Sequence, residues 1–255
     1  MMAQRDYGKT RITVCQDAAD LGRRAADAVA QRLRLLLAVQ AEVRLVLAAG
    51  ESQATFLDAL AVQTDIDWPR VVCFNVDDFW DPRLPERFSC GYQTRRQLYD
   101  KVPAKAFHLV RFNAPDPQAE ADRFEGLVRQ APLDVLCQGI GTSGHLALNE
   151  PGQTDFHDRR WVRVIDVCPQ SKRQLAEDPN FAALGYIPAK GITMTIPGII
   201  SARAIFTMVP LSLKRPILTR LAAAQEPTSD LPASILHDVP GELFVDRDSC
   251  PAAWA

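Results

Sequence analysis

The sequence predicts a three-layer α/β fold in which a mostly parallel sheet carries helices on both faces. Three observations predict it. Near-continuously apolar runs of six residues recur, as in Val43-Arg-Leu-Val-Leu-Ala48, Val71-Val-Cys-Phe-Asn-Val76 and Leu133-Asp-Val-Leu-Cys-Gln138. Such runs are the pattern of strands buried on both sides, the situation inside a parallel sheet. Amphipathic stretches separate them, the longest (18–39) placing Leu21, Ala25, Val29, Leu33 and Leu36 at helical spacing. The alternation continues without an internal repeat, a low-complexity linker or a charge block, which argues for one α/β domain over residues 1–255.

Taken in order, Arg11-Ile-Thr-Val-Cys15 reads as a short strand, and Asp17 as the N-cap of the helix over 18–39. A strand over 43–48 leads to a helix over 53–62, and a strand over 71–76 to a Pro-containing loop and a helix over 92–99. Residues 107–110 read as a strand, 118–129 as a helix and 133–138 as a buried strand. After a glycine-rich stretch come strands over 162–167, 192–196, 204–209 and 242–245, with helices over 171–176 and 214–224. Asp178-Pro179 and residues 225–229 read as surface loops.

Composition narrows the function classes. The chain has 255 residues, 29 basic against 31 acidic side chains, and a formal net charge of −2. A generally basic surface for nucleic acid is not expected. No apolar run reaches the roughly 18 residues of a membrane-spanning helix. The first residues, Met1 to Asp6, lack the apolar core of a secretory signal, so a cytoplasmic location is expected. The six cysteines stand apart, with neither Cys-x-x-Cys nor a cysteine-histidine zinc spacing, and read as reduced, mostly core thiols. No metal site is expected.

In open α/β sheets ligands gather at the carboxyl ends of strands, and three strand ends carry chemistry. In Leu47-Ala-Ala-Gly50-Glu-Ser52-Gln-Ala-Thr55, Gly50 permits a tight turn, and the first amides of the following helix with the Ser52 and Thr55 hydroxyls suit an anion. A plain turn N-capped by Ser52 is the alternative. Neither G-x-G-x-x-G nor a Walker G-K-[ST] is present. In Phe74-Asn75-Val76-Asp77-Asp78-Phe79-Trp80, two carboxylates follow an apolar strand. Neighbours on a strand point to opposite faces, so one of the pair enters a given pocket, as base or ligand, and a helix cap is the alternative. In Gly139-Ile-Gly141-Thr-Ser143-Gly144-His145-Leu-Ala-Leu-Asn149-Glu150-Pro151-Gly152, three glycines within six residues bring backbone close to a ligand and set His145 five residues before Glu150. His145 is therefore the acid/base candidate. His108, His157 and His237 read as structural.

Together these segments resemble the glucosamine-6-phosphate deaminase/isomerase family, whose patterns are close to G-x-G-x-D-G-H-I-A-F-N-E-P-G and F-N-M-D-E-Y. The order of motifs matches along nearly the whole chain. Gly191-Ile-Thr-Met-Thr, Ser201-Ala-Arg-Ala-Ile-Phe and Leu213-Lys214 fall where the family has a strand, a D-A-R-E-V segment and a phosphate-binding lysine. The related 6-phosphogluconolactonases share the first half of the histidine motif but continue toward S-L-F-P, so Asn149-Glu150-Pro151 favours the amino-sugar branch. The resemblance implies a Rossmann-like fold and a role for each matching residue. Asp77 is the base that moves a proton between C2 and C1 of the opened sugar. His145 opens the ring, and Glu150 orients His145. Ser143 stands in the same catalytic set. Gly50, Ser52, Gly144, Arg173 and Lys214 contact substrate or its phosphate, with Lys172 an alternative to Arg173.

Departures from the pattern accompany these matches. Ser143 replaces an aspartate, Ala48-Ala49-Gly50-Glu51-Ser52-Gln53 replaces a T-G-[GS]-T-P loop, and Asp78 and Phe79 stand where glutamate and tyrosine are usual. The resemblance thus implies a divergent hexosamine 6-phosphate isomerase/deaminase. A lactonase-type hydrolase and a sugar-phosphate sensor with little turnover are the alternatives. The expected partner is a small sugar phosphate, with no nucleic acid, membrane or cofactor required and with homo-oligomer formation compatible.

Overall fold

The computed structural model describes residues 5–177 and 179–255, so the first four residues and Asp178, read above within a terminal stretch and a loop, fall outside it. The strands are β1 (Arg5–Tyr7), β2 (Thr10–Cys15), β3 (Val43–Leu47), β4 (Val71–Asn75), β5 (Asp77–Trp80), β6 (Ala106–His108), β7 (Val135–Gln138), β8 (Val162–Asp166), β9 (Lys190–Met194), β10 (Ala204–Val209) and β11 (Gly241–Asp246). The helices are α1 (Ala18–Leu37), α2 (Glu51–Ala61), α3 (Cys90–Gln97), α4 (Pro117–Val128), α5 (Pro169–Glu177), α6 (Pro179–Leu184), α7 (Ile196–Ile200) and α8 (Arg215–Ala223).

Among the described residues, eight strands form the central sheet in the order β1-β2-β11-β10-β7-β3-β4-β6. All neighbours are parallel except the β1–β2 pair. The expected class is therefore observed. From β3 the chain steps outward through β4 to β6, then returns to the other side of β3 as β7 and builds toward β10 and β11. The reversal leaves a crevice beyond the carboxyl ends of β3 and β7, the place where such sheets bind ligands.

Each face of the sheet has its own core. Leu21, Ala25, Val29 and Leu33 of α1 pack with Phe56, Leu57 and Leu60 of α2 and with Leu45, Leu47, Val135 and Cys137 of the sheet. Val46, Phe74 and Leu136 point the other way, against Phe124 of α4, Ile217 and Leu218 of α8, and Leu231. The alternation along β3 and β7 is the period of two expected of strands covered on both sides. Asp17 caps α1 as the sequence predicts, its carboxylate accepting the Asp20 N–H at 2.7 Å. Among the described residues, no helix is long and apolar enough to cross a membrane.

A second sheet lies outside the sequence expectation. Strands do form where 162–167 and 192–196 are expected, as β8 (Val162–Asp166) and β9, which starts two residues earlier and ends at Met194 because Ile196 opens α7. However, β8 and β9 join β5 in a separate antiparallel sheet, β5-β9-β8. Val76 is the crossing point: its N–H donates to Leu47 O at 3.0 Å in the main sheet, and its carbonyl accepts from Met194 N at 2.9 Å in the small one. Asp77 is therefore held at a junction between sheets. Pro179, read as part of a loop, opens α6 instead.

The α1–α2 contact is closed by Gly22, where an added Cβ would come 2.6 Å from the Thr55 carbonyl carbon and oxygen. The neighbour is backbone and cannot turn aside. Gly22→Ala is expected to cost about 1–3 kcal/mol through overpacking, read as a fall of several degrees in Tm with the far-ultraviolet circular dichroism unchanged before melting.

Candidate active site

A cavity of about 850 Å³ occupies the crevice, lined by residues 48–52 after β3, Asp77, α3, the loop after β7, Leu175, Phe181 and Lys214. Of the expected site residues, Gly50, Ser52, Asp77, His145 and Lys214 line it.

Asp77 and Asp78 divide their work as strand geometry requires. Asp77 faces the cavity. Burial pushes its carboxyl up to about 6, with the neighbouring His145 acting in the opposite sense. Asp78 points away, is 1% exposed, and accepts the Cys90 and Gly91 N–H groups at 2.9 and 3.0 Å, capping α3. Burial raises Asp78 to about 8 against those two hydrogen bonds. The helix-cap alternative thus describes Asp78 and the base reading describes Asp77.

His145 stands on a loop that glycine makes possible. Gly141 N donates to His145 O at 3.0 Å and Gly144 N to Gly141 O at 3.0 Å, folding the loop on itself. A Cβ on Gly141 would lie 1.9 Å from His145 Nε2, so the ring rests directly on the backbone there. Asn149 fastens the loop to β9 by donating to Leu146 O and Met194 O, each at 2.8 Å.

Behind the ring lies Glu150, buried and away from the cavity. Ser143 Oγ donates to Glu150 Oε2 at 2.7 Å and lies 2.8 Å from His145 Nδ1, while that nitrogen is 3.0 Å from Glu150 Oε1. Ser171 Oγ also donates to Oε1. Burial opposes charge on Glu150, but the hydrogen bond and charge of His145, with hydrogen bonds from Ser171 and Ser143, outweigh it and hold the carboxyl at about 2. An ionised carboxylate only accepts, so the single Ser143 proton belongs to Glu150. Nδ1 then faces two oxygen lone pairs and must carry hydrogen. Nε2 of the neutral ring is left bare, on the Gly141 and Asp77 side. Ser143 is not placed as a hydrolase nucleophile, because it and Glu150 meet the same ring nitrogen, whereas such a triad needs them on opposite ones.

Anion contacts gather on the other flank. Gly50, at φ 101°, is the N-cap of α2 with no side-chain cap, so the helix begins at Glu51 and the reading of Ser52 as N-cap is corrected. The Gln53 N–H returns to Gly50 O at 2.9 Å, and the Glu51 and Ser52 amides ahead of it are left to a ligand or to water. Lys214 closes a turn (Ser212–Lys214) ahead of α8, and burial lowers its pKa while the charge of Glu51 acts against the lowering. Leu211, at φ 82°, starts that turn and is held by Asp246 Oδ2, which accepts its N–H at 3.0 Å.

Two expected contacts are not brought together with the rest. Gly144 does not line the cavity: its N–H is bonded within the loop, and an added Cβ would strike Leu231 Cδ1 at 2.4 Å. Its role is packing. Arg173 is exposed on α5 and also lies off the cavity. The guanidinium groups that do line it are Arg87 and Arg96, with Gln93 and Gln97 beside Arg96 on one face of α3. Sequence reading missed these, although the polar residues at 93, 96 and 97 share helical spacing next to the Asp77 strand end. It also missed Ser171.

Comparison with known proteins identifies the family and the fold. The profile of the family described as glucosamine-6-phosphate isomerases/6-phosphogluconolactonase matches residues 16–245. A glucosamine-6-phosphate deaminase of Exiguobacterium sp. is 33% identical over 185 residues, covering 72% of this chain and 70% of the relative. One from Lysinibacillus sphaericus is 31% identical, covering 74% and 83%. Among solved structures, a monomeric glucosamine-6-phosphate deaminase superposes with a TM-score of 0.81 at 24% identity, covering 93% of this chain and 98% of its own. A 6-phosphogluconolactonase from Thermotoga maritima gives 0.71 at 18%, covering 92% and 98%. Both likenesses speak to the fold.

Because the Gly141 backbone touches the His145 ring, Gly141→Ala is expected to displace Nε2. Misplacement of a catalytic group by about 1 Å costs on the order of 10²-fold, so turnover should fall by that order while circular dichroism and Tm stay close to native.

Proposed function

Since the chain belongs to the glucosamine-6-phosphate isomerase/6-phosphogluconolactonase family, we propose that it is an amino-sugar-phosphate isomerase/deaminase. It converts a hexosamine 6-phosphate, of glucosamine or galactosamine type, to a ketose 6-phosphate with release of ammonia. The observation that carries this reading is the convergence of Asp77, a bare His145 Nε2 and Lys214 on one cavity.

The chemistry follows from the groups available. Lys214 and the open amides of α2 hold the phosphate, which fixes the sugar against the acid/base pair. His145 Nε2 takes the proton of the anomeric hydroxyl and returns it to the ring oxygen, opening the ring. Asp77, as the carboxylate, takes the proton from C2 and delivers it to C1 while one proton of the substrate's ammonium group passes to O1, so that the aldehyde becomes a CH₂OH group and C2 a protonated imine. Water adds to C2, the C–N bond breaks, nitrogen leaves as ammonia and C2 becomes the ketone. One water is consumed for each ammonia formed. Glu150 and Ser143 hold His145 in its tautomer and touch no substrate.

A carboxyl held at about 6 is ionised at neutral pH and still basic enough to accept a proton in the transition state.

The experiment is incubation with glucosamine 6-phosphate, galactosamine 6-phosphate and 6-phosphogluconolactone. Equal amounts of ammonia and ketose phosphate are expected from a hexosamine phosphate. Acid release from the lactone without ammonia would assign the hydrolase instead. As Asp77 must be ionised to act, kcat/KM is expected to fall as pH drops through about 6. Asp77→Asn should reduce turnover by at least about 10²-fold, with phosphate binding kept. Lys214→Ala should weaken binding of inorganic phosphate by roughly 10- to 150-fold, the loss of one charge-assisted contact. Arg173→Ala should leave that binding near native.

A further inference from the structure

We propose that Ser171 is a positioning residue for the His145–Glu150 pair, and that by carrying it α5 makes the pair's geometry depend on the seating of the cavity wall. The inference rests on the reading of His145 as the proton carrier of the site. Glu150 is 3% exposed, and three side chains donate to it. Two come from its own loop. The third, Ser171, comes from α5, across 21 residues of sequence. Ser171 and His145 Nδ1 meet the same oxygen, Oε1, while Ser143 holds Oε2. Ser171 therefore competes with the imidazole for one set of lone pairs and limits how far the carboxylate can follow the ring.

The helix that brings Ser171 also shapes the cavity. Leu175, four residues on and so on the same face of α5, lines the cavity, as does Phe181 of α6. A displacement of α5 that withdraws Leu175 from the wall withdraws Ser171 from Glu150 as well. Ser171 N lies 3.3 Å from Cys168 Sγ and Lys172 N donates to Cys168 O at 2.9 Å, so the first turn moves as a unit. The further charged group acting on His145 is Asp77 of β5, on the cavity side. Lys172, next to Ser171, acts on Asp166 instead.

The test compares Ser171→Ala with Ser171→Thr, which keeps the hydroxyl. In Ser171→Ala, Oε1 accepts from His145 alone. The Nδ1–H proton resonance of His145 is expected to move downfield, and α5 amides to exchange faster with solvent. In turnover assays kcat should fall about tenfold, the scale of one hydrogen bond to a charged group, with KM within about twofold of native. Ser171→Thr should restore the native resonance, exchange and kcat. An unmoved resonance in Ser171→Ala overturns the positioning role, as does the same displacement in Ser171→Thr. Unchanged α5 exchange overturns the link to the wall. The resonance is read without substrate, so a protein that turned over no hexosamine phosphate would fail the functional reading and leave this test standing.

Discussion

A buried carboxylate met by two serine hydroxyls and an imidazole is the constraint around which the site is arranged. Glu150 lies behind the cavity, removed from water, and the charged form survives because the surrounding hydrogen-bond donors and the charge of the His145 ring outweigh burial. Ser143, Ser171 and the imidazole of His145 are those donors. Each donor so used is fixed in direction, and the fixing propagates outward. The Ser143 proton is committed to Glu150, Nδ1 of His145 must carry hydrogen, and Nε2 is left as an acceptor facing the cavity. The departure at position 143, a serine where the family has an aspartate, becomes intelligible in these terms. A second anion beside Glu150 would repel it, whereas a hydroxyl donates to it and still accepts from the ring.

The fold supplies the rest by bringing strand ends together. The reversal of strand order between β3 and β7 opens the crevice, and Val76 carries the chain from the main sheet into the small one as Asp77 arrives at its edge. Burial at that junction gives Asp77 a basicity near neutrality that an exposed aspartate lacks. Glycine is required at Gly141, where the ring lies on the backbone, and at Gly50, whose φ of 101° turns the chain from β3 into α2. Lys214 is aimed from a turn whose strained residue, Leu211, is anchored by Asp246 at the end of β11. The phosphate end and the acid/base end are thus built by different strands and meet only in the folded sheet.

Much of this was legible in the sequence because it is written in local patterns. The apolar runs at 43–48, 71–76 and 133–138 carry no alternative reading, and the pair Asp77-Asp78 announces opposite faces through strand geometry alone. What was not legible depends on partners distant along the chain. β5 begins with two carboxylates and becomes a strand only through pairing with β9, more than a hundred residues on. The start of α2 was misplaced because Ser52 is a good cap by type, while the turn at Gly50 fixes the true one. Arg173 was chosen by resemblance, and its side of α5 faces solvent, whereas Arg87, from the turn ahead of α3, and Arg96, from α3, line the cavity where no motif marked them. Ser171 meets Glu150 only once α5 has docked.

The central claim is that the Glu150 donor set fixes the tautomer of His145, and nitrogen-15 NMR of the imidazole reads it directly. At a pH where the ring is neutral, the account predicts a protonated Nδ1 and a bare Nε2 for His145. A neutral ring with hydrogen on Nε2 and a bare Nδ1 would contradict it.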